Sequence, residues 1–244
     1  MNEIFDIPKT REDLIRRLTF IKEIEWIRFP KQGKKKKGKY QHDSKNVGDL
    51  MESLLGLETN SFQDPDWGVH EIKSTRRSSR SRVTLTTKVP EYVGLLSARE
   101  FTDKYGYQTR RGKALRHTLS VKKPTKKKWQ LVYRGAKLEI EKEGFVVGHQ
   151  TMKELREHFL NKLKHLVLVI ADSETRGKWE FFHYNEAYLY TDINLNMIVP
   201  LLEAEQLRFE FRMAYEPGWK DYGPAFRMHR KYIQNLYRNM IRII

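Results

Sequence analysis

The 244-residue chain has no cysteine. That absence excludes disulfide frameworks, iron–sulfur clusters, thiol nucleophiles and Cys-containing zinc sites. Its eight histidines show neither an HExxH pairing nor close ligand spacing, so zinc chemistry is not expected. Long apolar runs are missing as well. The longest, Leu166–Ala171, falls far short of a bilayer span, and no membrane partner is expected. The start, Met1-Asn2-Glu3-Ile4, lacks a signal-peptide pattern, and an intracellular location is the expectation. Acidic residues are scarce relative to basic ones. Lys and Arg number 47 against 31 Asp and Glu, a net charge of +16. Such a cation attracts a polyanion, nucleic acid first and an anionic membrane surface second. With 39% hydrophobic and 32% charged residues, the composition is globular rather than disordered.

Hydropathy patterning predicts mixed α and β structure in one domain or two joined lobes, without an internal repeat. Apolar spacing gives a helix over Thr10–Ile27, with Thr10 as N-cap. Lys31–Lys39, containing Lys34-Lys35-Lys36-Lys37 between two glycines, reads as a flexible basic loop. It is either a solvated lysine run or a phosphate-contacting arm. A second helix fits Val47–Leu57. Strands fit Val69–Thr75 and Val83–Val89, and a short helix fits Ser97–Tyr105. Several strands follow over Leu115–Val147, then a helix over Thr151–Lys164. Strands Leu166–Ile170 and Trp179–Tyr190, a helix Ile193–Leu202, a strand Leu207–Tyr215 and a closing helix Met228–Ile243 complete the reading.

The most informative stretch is Asn60-Ser61-Phe62-Gln63-Asp64-Pro65-Asp66-Trp67-Gly68-Val69-His70-Glu71-Ile72-Lys73. Period-two alternation puts Glu71 and Lys73 on one face of a strand and Ile72 on the other. An Asp at the strand's entrance then lies beside Glu71. Two carboxylates offer hard oxygen ligands for Mg²⁺, and a lysine adds positive charge for a phosphate. This arrangement suits phosphodiester hydrolysis; a surface strand with an ion pair is the alternative. The preceding helix adds Glu52, which either faces solvent or reaches Lys73.

The run Gly48-Asp49-Leu50-Met51-Glu52, then Asp66 and Glu71-Ile72-Lys73, resembles MutH-like DNA endonucleases, most of all restriction enzymes of the MvaI/BcnI type. The likeness continues in Leu85-Thr86-Thr87-Lys88-Val89-Pro90, Lys104-Tyr105-Gly106 and His117-Thr118-Leu119-Ser120. It returns in Lys162–Val169, Ala187–Asp192 and Gly223-Pro224-Ala225-Phe226-Arg227, and so spans about residues 45 to 240 in order. The resemblance implies a PD-(D/E)XK nuclease fold with a central mixed sheet and two lobes forming a DNA cleft. The catalytic lobe would include about residues 45–90 and the recognition lobe about 205–244, within one nuclease unit. It implies type II, Mg²⁺-dependent, site-specific cleavage of double-stranded DNA by a monomer cutting one strand at a time. A cognate DNA methyltransferase would protect the host genome, in the cytoplasm of a prokaryotic cell. A MutH-like nicking enzyme and a noncatalytic DNA-binding protein are the alternatives.

Mapped by that resemblance, Asp66 and Glu71 are the metal-binding acids and Lys73 is the catalytic lysine. Glu52 matches the family's helix glutamate, and Lys162 falls at a further lysine. MvaI/BcnI spacing favours Asp66 as the first acid, whereas MutH spacing favours Asp64. For DNA reading, Asp221 is the candidate acceptor from cytosine and Arg227 the candidate donor to guanine. A turn-forming Asp and a structural ion pair are their alternatives. Thr87, with Ala225, leans toward a relative that accepts A·T at the centre of CC(A/T)GG, and Lys88 adjoins it. Phosphate contacts are expected among Arg76, Arg77, Arg80, Arg82, Arg110, Arg111 and Arg116.

Overall fold

A computed structural model describes residues 10–57, 64–215 and 218–244. The elements begin with α1 (Arg11–Glu23), β1 (Ile27–Arg28), β2 (Lys34–Lys36), β3 (Lys39–Gln41), α2 (Asn46–Leu54) and β4 (His70–Arg76). There follow β5 (Val83–Thr87), β6 (Glu91–Tyr92), α3 (Ala98–Tyr105), β7 (Tyr107–Thr109), β8 (Gly112–Leu119) and β9 (Trp129–Arg134). Next come β10 (Lys137–Lys142), β11 (Phe145–Thr151), α4 (Met152–Leu163), β12 (His165–Arg176) and β13 (Trp179–Ile193). The chain closes with α5 (Ile198–Glu203), β14 (Leu207–Tyr215), β15 (Trp219–Asp221), β16 (Ala225–Met228) and β17 (Tyr237–Arg242). The fold is mixed α/β, as the sequence leads one to expect. Two compact units divide it: residues 1–80, 162–192 and 238–244 form one, and residues 81–161 and 193–237 the other. Of the expected catalytic lobe, residues 81–90 thus belong to the second unit.

The first unit is built on a mixed sheet ordered β1-β13-β12-β4, with β17 also on β13. β12 runs antiparallel to β13 and parallel to β4. One sheet face carries Ile72, Val167, Val169, Phe182, Tyr184 and Leu189. These pack with Leu14, Leu18 and Ile21 of α1 and Val47, Leu50 and Met51 of α2 in one apolar core. Thr10 caps α1 by accepting from the Asp13 N–H at 3.1 Å. Because Ile72 points into this core, period-two alternation sends its neighbours Glu71 and Lys73 to the opposite face.

The second unit holds a six-stranded antiparallel sheet, β5-β16-β14-β8-β7 with β15 on β14, and a four-stranded sheet, β6-β11-β10-β9. Its core is aromatic. Phe101, fully buried on α3, stacks on Tyr92 with centroids 3.9 Å apart and meets Phe211 at 5.7 Å and Trp129 at 6.1 Å. Ser97 and Glu100 form a capping box that fixes α3 there. Phe101→Ala is expected to destabilise by about 3–5 kcal/mol. Urea unfolding should show a lower midpoint at unchanged m, and a loss under about 1 kcal/mol would contradict this account of the core.

Three sequence expectations are corrected. The first helix stops at Glu23 rather than Ile27, because Glu25 turns to φ 63° and Ile27–Arg28 pairs with β13. The lysine-rich loop is a β-hairpin, β2–β3. The closing helix is a 3-10 segment, Arg230–Leu236, followed by strand β17. Apolar spacing fits a helix there, but β13 is 15 residues long and β1 pairs with only Phe181 and Phe182. The remaining edge demands backbone partners, and β17 supplies them; Ile243 N–H donates to Ala187 O at 2.9 Å.

Candidate active site

The site is assembled at the start of β4. Trp67 and His70 exchange backbone hydrogen bonds at 2.9 Å across Gly68, whose φ of 58° permits the tight turn. The buried Trp67 ring anchors this turn by donating from Nε1 to Thr10 O at 2.8 Å. Asp66 is thereby folded back onto the strand, where its Oδ2 accepts the Ile72 N–H at 2.9 Å. One carboxylate thus satisfies a backbone donor of β4 and stands beside Glu71.

Glu71 is completely buried. Its two oxygens face two ammonium groups. Oε1 pairs with Lys73 Nζ, and Oε2 lies 2.8 Å from Lys162 Nζ. Lys162, in the last turn of α4, also donates to the backbone carbonyl of Asp64 at 2.6 Å. Glu52 is half-buried on α2, within the field of the same group. The five residues singled out in the sequence, Glu52, Asp66, Glu71, Lys73 and Lys162, therefore converge. Asp64 contributes its main-chain oxygen, while Asp66 directs its carboxylate into the cluster. Asn60–Gln63, part of the informative stretch, lie outside the described residues.

The electrostatics follow from crowding charge in a dry place. Burial raises the Glu71 carboxyl above its ordinary range; the Lys73 ammonium opposes this and the Asp66 carboxylate adds to it. Glu52 is raised by burial and then by Asp66, with Lys73 opposing. Burial works against the Lys73 charge, but Glu71, Asp66 and Glu52 together outweigh it and hold the ammonium above its ordinary pKa. The donor set fits a hard divalent cation: the buried Glu71 carboxylate and the part-buried Asp66 carboxylate repel one another, with the lysines supplying the compensating charge. Among the described residues, no group of three or more His, Asp or Glu is placed to hold a metal ion by itself. Mg²⁺ characteristically takes one or two carboxylates and completes its shell with phosphate oxygens and water.

The recognition candidates lie in the second unit, except Arg80, an exposed residue at the end of the first. Thr87 and Ala225 are direct cross-strand partners of β5 and β16, so the two positions singled out for the central base pair adjoin. Lys88 is held through its backbone, its N–H donating to Pro224 O at 3.1 Å. Asp221 is exposed and its Oδ1 accepts the Gly223 N–H at 2.7 Å, the turn-forming alternative. Arg227 pairs with Glu210 at 2.7 Å, the ion-pair alternative. Glu216 and Pro217 of this segment lie outside the described residues.

The sequence reading missed a cavity of about 390 Å³ in this unit, lined by Arg116, Glu210, Arg212, Tyr222 and Arg227 among others. Its signal was present: β14 reads Arg208-Phe209-Glu210-Phe211-Arg212, with aromatics to the core and charges on the other face. Arg212 donates to Tyr222 O at 2.6 Å; burial and the nearby Arg227 charge lower its pKa. Several expected phosphate contacts are otherwise engaged. Arg76 pairs with Glu180, Arg77 with Asp172 and Glu186, and Arg82 with Glu210.

The fold is similar to that of the restriction endonuclease MvaI in complex with its cognate DNA substrate. The TM-score is 0.78 at 19% identity, over 96% of this chain and 98% of that one. MvaI in the absence of DNA matches with a TM-score of 0.50 at 17% identity, over 96% and 100%. These likenesses define a fold, that of a restriction endonuclease. The model of the MvaI/BcnI restriction endonuclease family matches residues 15–237, and the chain belongs to that family of site-specific deoxyribonucleases. No curated protein matches the chain. No helix among the described residues is long and apolar enough to cross a membrane.

Proposed function

We propose that this restriction endonuclease cuts double-stranded DNA in a Mg²⁺-dependent reaction, as a monomer acting on one strand at a time. The target would be a short near-palindromic site of the CC(A/T)GG kind. The observation that carries the reading is the buried Glu71 carboxylate between Lys73 and Lys162, with Asp66 folded back beside it. Asp66 and Glu71 would hold the metal. Bound there, Mg²⁺ supplies a Lewis acid for the scissile phosphate and acidifies water. Lys73 sits beside both acids and meets the negative charge that develops on the phosphate. Lys162 holds Glu71 from the other side and orients it. Glu52, its pKa raised, keeps a carboxyl at the margin of the cluster.

A plasmid cleavage assay with and without Mg²⁺, followed by sequencing of the ends, tests this reading. Double-strand cuts at one short motif are expected. Binding without cleavage would leave a noncatalytic DNA-binding protein, and nicks confined to hemimethylated DNA would leave a MutH-like role. The reading also implies a cognate DNA methyltransferase in the same prokaryotic cytoplasm, whose modification should block cutting.

For specificity, Arg227→Ala is expected to lose about 1–3 kcal/mol of discrimination at one base-pair position. Arg80→Ala should instead weaken binding to all sequences alike and reduce its salt dependence. Competition binding in Ca²⁺ against single-base variants separates the two. A uniform loss for Arg227→Ala would make its pairing with Glu210 purely structural.

A further inference from the structure

The β2–β3 hairpin takes no part in the site described so far. Between Lys31 and Gln41 the sequence is Lys-Gln-Gly-Lys-Lys-Lys-Lys-Gly-Lys-Tyr-Gln, six lysines and no acid. All six lysines are exposed, and among the described residues none is in an ion pair with a carboxylate. A freely solvated lysine run would have no reason to be ordered. Here it is a ribbon, with Lys36 directly opposite Lys39 and a turn at Lys37 and Gly38, whose φ values are 49° and 80°. These match the left-handed pair of a tight hairpin turn. Like charges set opposite each other across a ribbon destabilise it, and an isolated two-stranded hairpin is marginal in water.

The ribbon is therefore held from its root. On the leading side, Phe29 N–H donates to Glu180 O at 2.8 Å and Gly33 N–H to Lys178 O at 2.9 Å, fastening that leg to β13 and the turn just before it. On the returning side, the Arg76 guanidinium donates to Asp43 O and Ser44 O, each at 2.8 Å. The same guanidinium makes a two-pronged contact with the buried Glu180 carboxylate at 2.9 and 3.0 Å. The His42 ring closes the two legs on each other: a Cβ at Gly33 would lie 2.6 Å from its Cε1. Arg76 stands at the end of β4, the strand that carries Glu71 and Lys73. The ribbon's root is thus fixed about 16 Å along that strand from Glu71, at roughly 3.3 Å per residue.

We propose that this hairpin is a preformed arm for the phosphate backbone of duplex DNA. It would grip DNA flanking the target and be held in fixed register to the strand that carries the candidate catalytic residues. The partner follows from chemistry: closely spaced ammonium groups without acids recognise a regular polyanion, not a base edge. Ordering the arm before binding lowers the entropy that a flexible lysine tail would lose. Because its root lies away from Glu71 along β4, its contacts would fall on the flanking duplex rather than at the scissile phosphate. The inference rests on the DNA-cleaving reading above and adds a sequence-independent contact to it.

The test is the quadruple variant K34Q/K35Q/K36Q/K37Q, which changes exposed side chains only. Binding would be measured in Ca²⁺ at several salt concentrations, on duplexes whose target has either long flanks or flanks of two to three base pairs. On long duplexes the variant should bind at least tenfold more weakly at low salt. Its slope of log affinity against log salt should be shallower by about 2–4, at roughly 0.9 per phosphate lost. On the short duplexes it should match the wild type, and its preference among sites and its single-turnover rate at saturating enzyme should stay within twofold. An unchanged slope and flank dependence would overturn the arm while leaving the nuclease intact. Wild-type protein that neither binds nor cuts DNA would instead overturn the reading beneath it.

Discussion

Asp66→Asn is expected to abolish cleavage and leave the protein folded and bound to its site. The substitution is chosen for what it keeps. Asp66 Oδ2 accepts the Ile72 N–H at 2.9 Å, and the amide oxygen of asparagine accepts the same bond, so the turn into β4 survives. What is lost is the negative charge beside Glu71. A ligand for a divalent cation supplies several kcal/mol to phosphodiester cleavage, so the rate should fall by on the order of 10³ or more. Single-turnover rates at saturating Mg²⁺ and binding in Ca²⁺ separate the effects. Cleavage within tenfold of wild type would remove Asp66 from the proposed metal site and turn attention to Asp64. A fall in melting temperature that accounts for the lost rate would mean Asp66 only braces the strand.

How far the sequence foretells this arrangement depends on whether a feature is local. β14 spans Leu207–Tyr215, the run its alternation predicts, because a half-buried strand repeats every two residues whatever it pairs with. The shared face of Glu71 and Lys73 is legible for the same reason, and the two side chains pair directly. Nothing local reveals that Lys162, ninety-one residues beyond Glu71, closes on its second oxygen. That contact exists because β12 pairs in parallel with β4, with Leu166 opposite Glu71, which brings the preceding end of α4 to the head of β4. The C-terminal strand fails for a kindred reason. Its residues fit a helix as well as a strand, and the open edge of β13 decides between them. The lysine hairpin was hidden because its turn residue, Lys37, adopts a positive φ uncommon for a non-glycine residue, while its anchors, Arg76 and Glu180, lie far along the chain.

The two lysines on Glu71 should not be equivalent, and the second large effect comes from separating them. Lys73→Met is expected to remove cleavage by on the order of 10³-fold, and Lys162→Met to reduce it by a smaller factor of about tenfold to a hundredfold. Methionine keeps the length and packing of each stem without its charge. Lys73 stands in the field of Glu71, Asp66 and Glu52 together, so its ammonium is the positive charge at the centre of the cluster. Lys162 divides its bonds between Glu71 Oε2 and the carbonyl of Asp64, which suits a group that fixes the orientation of the glutamate. Loss of a group that only positions Glu71 should be partly recovered by an alternative donor, so Lys162→Arg should regain activity that Lys73→Arg does not. A guanidinium can hold a carboxylate, but its bulk and fixed fork are mismatched to a point-charge site. Neither variant should be neutral for folding, because each leaves the buried Glu71 charge with one partner instead of two. Thermal melts of all four variants would let rate losses be compared at equal folded fraction. A greater loss at Lys162 than at Lys73, with both proteins folded, would exchange the two roles and make the lysine at the end of α4 the one that meets the phosphate.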